Sequence, residues 1–351
     1  MGHVKVGVAA LALVLLPPGA FAENVAFVGF TTLNNHISFS AIGQDRSPSQ
    51  QELESVFFQF SAVQSAEITA PAIPGVVREG TRVTLIRPVI GPGGEGPIAI
   101  PDGSGSLIFT EQDISRISRI DRDDNVTPYL ANTDGAVALA YDHNGRLIGT
   151  RAGAGLTVLA PTRSVIATVY EGKPVSATEL VIDRRNGIYF TNGPNVMYLN
   201  PAGALSKVGS VTRGNGIQLS PDEKTLYVTN GPLWSAAERR PVTFVMAFDV
   251  QPDGSLNNSR PFARTGADGM AVDTDGRLYV AVPPSSYRPD EVLGVRVYNP
   301  DGRLLGTIPT GLPPNSVAFG GPDKRTLYIV GRRSGLQKIR LLSQGIQSRA
   351  K

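Results

Sequence analysis

The sequence predicts an all-β fold, a six-bladed β-propeller with an N-terminal extension. Three observations point to it. A turn followed by a short apolar strand recurs six times, at Leu107, Leu147, Ile188, Leu226, Leu278 and Leu327, in steps of 40, 41, 38, 52 and 49 residues. Those steps match the roughly 40 to 50 residues of a four-stranded blade. From Thr81 onward the apolar residues come in short runs between turns, with almost no helical period. The 39 glycines and 27 prolines supply the turns that so many strands need.

Composition narrows the function classes. With 41% hydrophobic and 18% charged residues, the 351-residue chain can bury a large core as two domains or as one large all-β domain. The net charge is +3 and no Lys/Arg run is interleaved with aromatics, so a nucleic-acid partner is not expected. Cysteine is absent, which excludes disulfides, thiolate zinc sites and cysteine nucleophiles. The three histidines, His3, His36 and His143, are too few and too scattered for a histidine zinc site or a Ser-His-Asp triad.

In chain order, residues 1–22 read as an export signal. Lys5 precedes an apolar run from Val6 to Leu16, Pro17-Pro18-Gly19 breaks it, and Ala20-Phe21-Ala22 offers small residues for cleavage before Glu23. The run is shorter than the roughly 18 to 20 residues of a bilayer span, so no membrane span is expected in the mature chain. Export without cysteine favours a periplasmic or secreted setting. Residues 23–80 form an extension and linker outside the repeats. Ser49 to Glu52 has capping-box spacing and Leu53, Val56, Phe57 and Phe60 follow at helical spacing, which suggests a helix near 49–62. The run from Phe57 to Val63 fits a strand equally, and Pro71, Pro74 and Gly75 punctuate the linker.

The propeller is expected over residues 81–345, with a tail at 346–351. Val83-Thr84-Leu85-Ile86 is placed to close the ring by pairing with the last blade, because closure removes exposed edges. A β-sandwich pair is the alternative, although it would not require six similar units. Reading back from each turn gives the blade entrances: Glu95, Val137, Thr178-Glu179, Asn215, Asp268 and Asn315. On a closed ring Glu95, Asn215 and Asp268 would converge as two carboxylates and an amide carbonyl. That all-oxygen set suits one divalent cation, Ca²⁺ foremost, with Zn²⁺, Mn²⁺ or Mg²⁺ as alternatives. Two carboxylates without a cation would repel one another there.

These residues carry a resemblance. Residues 90–341 resemble the gluconolactonase, senescence-marker-protein and luciferin-regenerating family of six-bladed propellers. Glu95-Gly96-Pro97, the run from Asn215 to Val228 and Asp268-Gly269-Met270 are similar to that family's motifs, as is the closing blade around Leu304 to Pro309, Asn315 and Phe319 to Asp323. The resemblance implies metal-binding roles for Glu95, Asn215 and Asp268. The family's second-blade Asn-Gly is Val137-Ala138 here, and its third-blade Asn-Asp, which meets substrate or water, is Thr178-Glu179. Lactone hydrolysis then follows as the expected chemistry, with Asp268 or Glu179 taking a proton and Thr178, Asn315 and Arg213 meeting a lactone or sugar-like ligand. The retained trio favours an exported metal-dependent lactonase. The replaced third-blade pair favours the alternative, a non-catalytic propeller that binds a ligand or protein through its central channel. Oligomeric state is not legible.

Overall fold

The structure, a computed structural model, describes residues 8–11, 27–33 and 36–42 and, apart from 91–92, 152, 237–239, 267, 284–292 and 333, residues 67–347. Two compact units result: residues 1–67 with 289–292, and residues 68–288 with 293–351. In the first, Val8–Leu11, Phe27–Leu33 and His36–Ile42 make an antiparallel sheet in that order. The expected helix near 49–62 lies outside the described residues. No helix among the described residues is long and apolar enough to cross a membrane.

The second unit is the six-bladed propeller. Blade 1 runs through Gly94–Ala99, Leu107–Glu111, Arg116–Ile120 and Val126–Ala131, each strand antiparallel to the next. Blades 2 to 5 repeat that meander, with first strands at Leu139–Tyr141, Ala177–Ile182, Ile217–Leu219 and Met270–Val272. Blade 6 takes three strands from Ser316–Gly320, Thr326–Val330 and Leu336–Arg340 and a fourth from the N-terminal side, Thr81–Arg87. In that closure Ile339 opposes Val83 and Lys338 opposes Thr84, so the expected pairing forms. Each first strand also touches the first strands of its two neighbours, blade 6 against blade 1 included, which closes the ring.

Side-chain alternation explains how such thin blades build a core. Successive residues of a strand point to opposite faces. In the first strand of blade 3, Leu180 and Ile182 pack with Ala138 and Ile148 of blade 2, while Val181 between them packs with Ile217 and Val228 of blade 4. The same arrangement holds at every junction, so the apolar core is divided among the blade interfaces. The punctuated stretch also contributes to this core through three residues of 73–77. Ile73 and Val77 bridge, and Ile73, Val76 and Val77 are buried against blades 5 and 6. A turn closed by the Val76 and Val77 N–H groups on the Ile73 carbonyl, with Gly75 at φ +72°, brings these apolar side chains to the core.

The recurrent turns have a common chemistry. Asp142, Asp183 and Asp273 each follow a first strand and accept two backbone N–H bonds on one carboxylate oxygen, at 2.8 to 3.0 Å. This is the Asx-type bond that favours a tight turn. Asp273 is fully buried, and burial raises its pKa against the pull of its bonds to Arg277.

Candidate functional site

The entrances of blades 1 to 4 line a cavity of about 380 Å³ whose walls include Glu95, Val137, Thr178, Arg213, Asn215 and Arg332. Gln112, Thr229 and Thr243 add further polar side chains to the wall. Glu95 is buried at the start of blade 1, with Arg332 Nε 3.6 Å from its Oε1. Asn215 starts blade 4 and Asp268 starts blade 5. The Asn215 Nδ2 donates to Asp268 Oδ1, and the Asn215 Oδ1 is buried with no hydrogen-bond partner among the described residues.

Close packing of neighbouring entrances explains the glycine that follows each of these side chains. A Cβ on Gly216 would lie 1.9 Å from the Asp268 carbonyl oxygen, and one on Gly269 would lie 2.1 Å from Ser316 Oγ. Neither approach is compatible with a side chain. The Gly269 N–H donates to the Asn315 carbonyl at 2.8 Å, which ties blade 5 to blade 6.

A run of threonine hydroxyls fastens the remaining entrances. Thr110 Oγ1 lies 3.1 Å from the carbonyl oxygen of Glu95 and 2.9 Å from that of Val137. Thr150 Oγ1 donates to the Thr178 carbonyl at 2.8 Å, and Thr191 Oγ1 donates to the Asn215 carbonyl at 2.8 Å. Thr229 Oγ1 in turn accepts the Asn215 N–H at 2.9 Å. Each of these threonines stands on the second strand of its blade, three residues after the apolar residue that marks the repeat. Sequence reasoning missed them, although that common offset was the signal. Blades 5 and 6 carry Ala281 and Val330 at the same offset, and there backbone bonds hold the entrances instead: Asp268 N–H to Ala281 O at 3.1 Å and Asn315 N–H to Val330 O at 2.8 Å.

Asp268 keeps part of its surface accessible, yet the protein encloses its carboxyl. Burial, followed by the Glu95 charge, pushes its pKa up to about 8, and the Arg332 and Arg213 guanidinium groups oppose the rise. An acid, an amide oxygen without a partner and a second acid form an oxygen donor set that fits a hard divalent cation. Among the described residues no cluster of three or more His, Cys, Asp or Glu side chains is gathered for a metal, so a cation here would depend on the Asn215 oxygen.

The other expected site residues divide. Thr178 and Arg213 line the cavity, whereas Glu179 and Asn315 are buried and do not, and Asp268 reaches it only through its bond to the lining residue Asn215. Glu179 keeps its backbone N–H on Thr191 Oγ1 at 3.2 Å. Arg332 was not singled out by sequence reasoning, because only the fold brings it beside Glu95.

A closed six-bladed ring with this oxygen-rich mouth defines the class of protein. Residues 93–332 match the family described as the SMP-30/Gluconolactonase/LRE-like region, and the chain belongs to that family. A gluconolactonase of Zymomonas mobilis subsp. mobilis is 29% identical over 214 residues, 52% of this chain and 55% of that protein. A 6-deoxy-6-sulfogluconolactonase of Pseudomonas putida is 35% identical over 130 residues, 36% of this chain and 40% of that protein. The chain thus spans about half the length of the curated relatives it matches. Among solved structures, a gluconolactonase from Xanthomonas campestris is similar with a TM-score of 0.66 and 26% identity, covering 78% of this chain and 94% of that one.

Proposed function

We propose that this protein is a metal-dependent lactonase that opens a sugar lactone or similar cyclic ester. The observation that carries the reading is the Asn215 amide, whose nitrogen holds Asp268 and whose buried oxygen has no partner among the described residues. The relatives that act on gluconolactones support the substrate class. Glu95, Asn215 and Asp268 would hold the cation, with Ca²⁺ favoured by the all-oxygen donor set. When bound, the ion supplies Lewis-acid polarisation of the lactone carbonyl.

The chain's own groups supply the rest. Asp268, held as the carboxylate when a cation is bound beside it, accepts a proton from the attacking water as the water oxygen bonds to the carbonyl carbon. The acyl–oxygen bond of the ring then breaks, and the departing ring oxygen takes that proton back. Asn215 orients Asp268 throughout, and Thr178 and Gln112 on the wall meet substrate hydroxyls. Export to the periplasm or medium belongs to the same reading and rests on residues 1–22.

The test is hydrolysis of a panel of aldonolactones with EDTA and with added Ca²⁺, Mn²⁺ or Zn²⁺. Metal-dependent turnover that disappears in Asp268→Ala supports the reading. Turnover indifferent to both would sink it, and ligand binding without turnover would point to a binding propeller.

A further inference from the structure

We infer that the lactone taken by this cavity bears an anionic group, a carboxylate or another oxyanion attached to its ring, which Arg213 and Arg332 receive. The inference rests on the lactonase reading and specifies its substrate.

Charge balance on the cavity wall carries it. Among the described lining residues there is one acid, Glu95, and there are two guanidinium groups, Arg213 and Arg332. Arg213 comes from the loop before the first strand of blade 4, and Arg332 from the loop after the second strand of blade 6. Neither is committed elsewhere in the way other arginines are. Arg146 and Arg277 are bound to blade-turn aspartates at 2.7 and 3.0 Å, and Arg116 is bound to Glu111. Arg332 instead stands 3.6 Å from Glu95, with 52% of its side chain exposed. Arg213 is exposed on the cavity wall, and its guanidinium acts on Asp268 through charge.

A divalent cation held by the trio would cancel the charges of Glu95 and Asp268. Both guanidinium groups would then face the cavity without an acid to balance them. A neutral lactone leaves those charges to water, whereas an oxyanion matches the planar guanidinium fork and makes charge-assisted bonds. The rest of the wall suits a small polyol ring. Gln112, Thr178, Thr229 and Thr243 are polar, and the larger apolar side chains beside them are Val137 and Pro232.

The experiment compares ring opening of a neutral aldonolactone with that of the same ring carrying a terminal carboxylate or phosphate, using the full chain with added Ca²⁺. The expected result is a kcat/KM for the charged lactones about tenfold or more above the neutral one, the size of one charge-assisted hydrogen bond. That preference should shrink as KCl is raised. Arg213→Gln and Arg332→Gln should each move the ratio towards one, and Arg213→Lys and Arg332→Lys should restore part of it. Calorimetric binding of a charged, unreactive lactam supplies a readout without turnover, and melting temperatures confirm folding of each variant. Equal rates for neutral and charged lactones, with a ratio insensitive to both Gln variants, would overturn the inference and leave the lactonase reading standing. Arginine-dependent binding of the charged lactam with no lactone opened would do the reverse.

Discussion

The amide of Asn215 spans the boundary between blades 4 and 5, donating from Nδ2 to Asp268 Oδ1, while its own Oδ1 is buried with no partner among the described residues. Leaving a buried acceptor unmet costs about 1 to 3 kcal/mol. A cation bound there would remove that cost. Asn215→Ala is therefore expected to weaken Ca²⁺ binding at least tenfold while the propeller stays folded, as read by calorimetry and circular dichroism. Unchanged affinity would show that the amide is not a ligand.

Asp268 provides a pH test of stability. Its pKa is pushed up to about 8 in the folded protein against an ordinary value of 3.8. The folded state therefore binds more protons than the unfolded state between about pH 4 and 8, and stability falls as pH rises through that window. Thermal unfolding in EDTA should show this decline, Asp268→Asn should flatten it, and added Ca²⁺ should raise Tm more at pH 8 than at pH 5. A wild-type Tm that climbs between pH 6 and 8 in EDTA would contradict the assignment.

Gly216 tests how tightly the entrances pack. Gly216→Ala places a methyl group 1.9 Å from the Asp268 carbonyl oxygen, and backbone on both sides must shift. Overpacking of this kind costs about 1 to 3 kcal/mol or more. Urea unfolding should report that loss together with weaker cation binding, whereas Gly145→Ala, where a Cβ meets nothing within 4 Å but φ is +76°, should spare the cation.

Thr191 joins two entrances, donating to the Asn215 carbonyl and accepting the Glu179 N–H. Thr191→Val keeps the volume and removes both bonds. A loss of about 1 to 3 kcal/mol in unfolding free energy is expected, with a drop in kcat/KM as Asn215 loses its support. Thr191→Ser should recover most of both. A Val variant as active and as stable as wild type would mean the hydroxyl positions nothing.

Export predicts a processed N-terminus. Expression with the full leader in a Gram-negative host should yield periplasmic protein whose first residue is Glu23, as determined by terminal sequencing. Retention of Met1 in the cytoplasmic fraction would remove the export proposal.

Much of the fold was legible in the sequence, because blade repeats are local. Apolar alternation, an Asp-led turn and an approximately 40 to 50 residue step suffice to mark six units, and the same spacing pointed to the closing strand around Val83 to Ile86. Glu95, Asn215 and Asp268 could be found by counting back from each turn. The core role of Ile73, Val76 and Val77 was hidden by the prolines and glycine between them, which read as a linker.

The sequence by itself determined the repeat, the ring and the polar residues at the blade entrances. Only the tertiary structure decided which side chains face the cavity. A shift of register between Ala177 and Leu180 interrupts the count along the first strand of blade 3, so Thr178 lines the wall and Glu179 is buried beside it. A bulge of this kind redirects side chains, and counting residues back from a turn does not detect it. Arg332 and Glu95 stand 237 residues apart in the chain and 3.6 Å apart in space, a proximity that exists because blade 6 closes against blade 1.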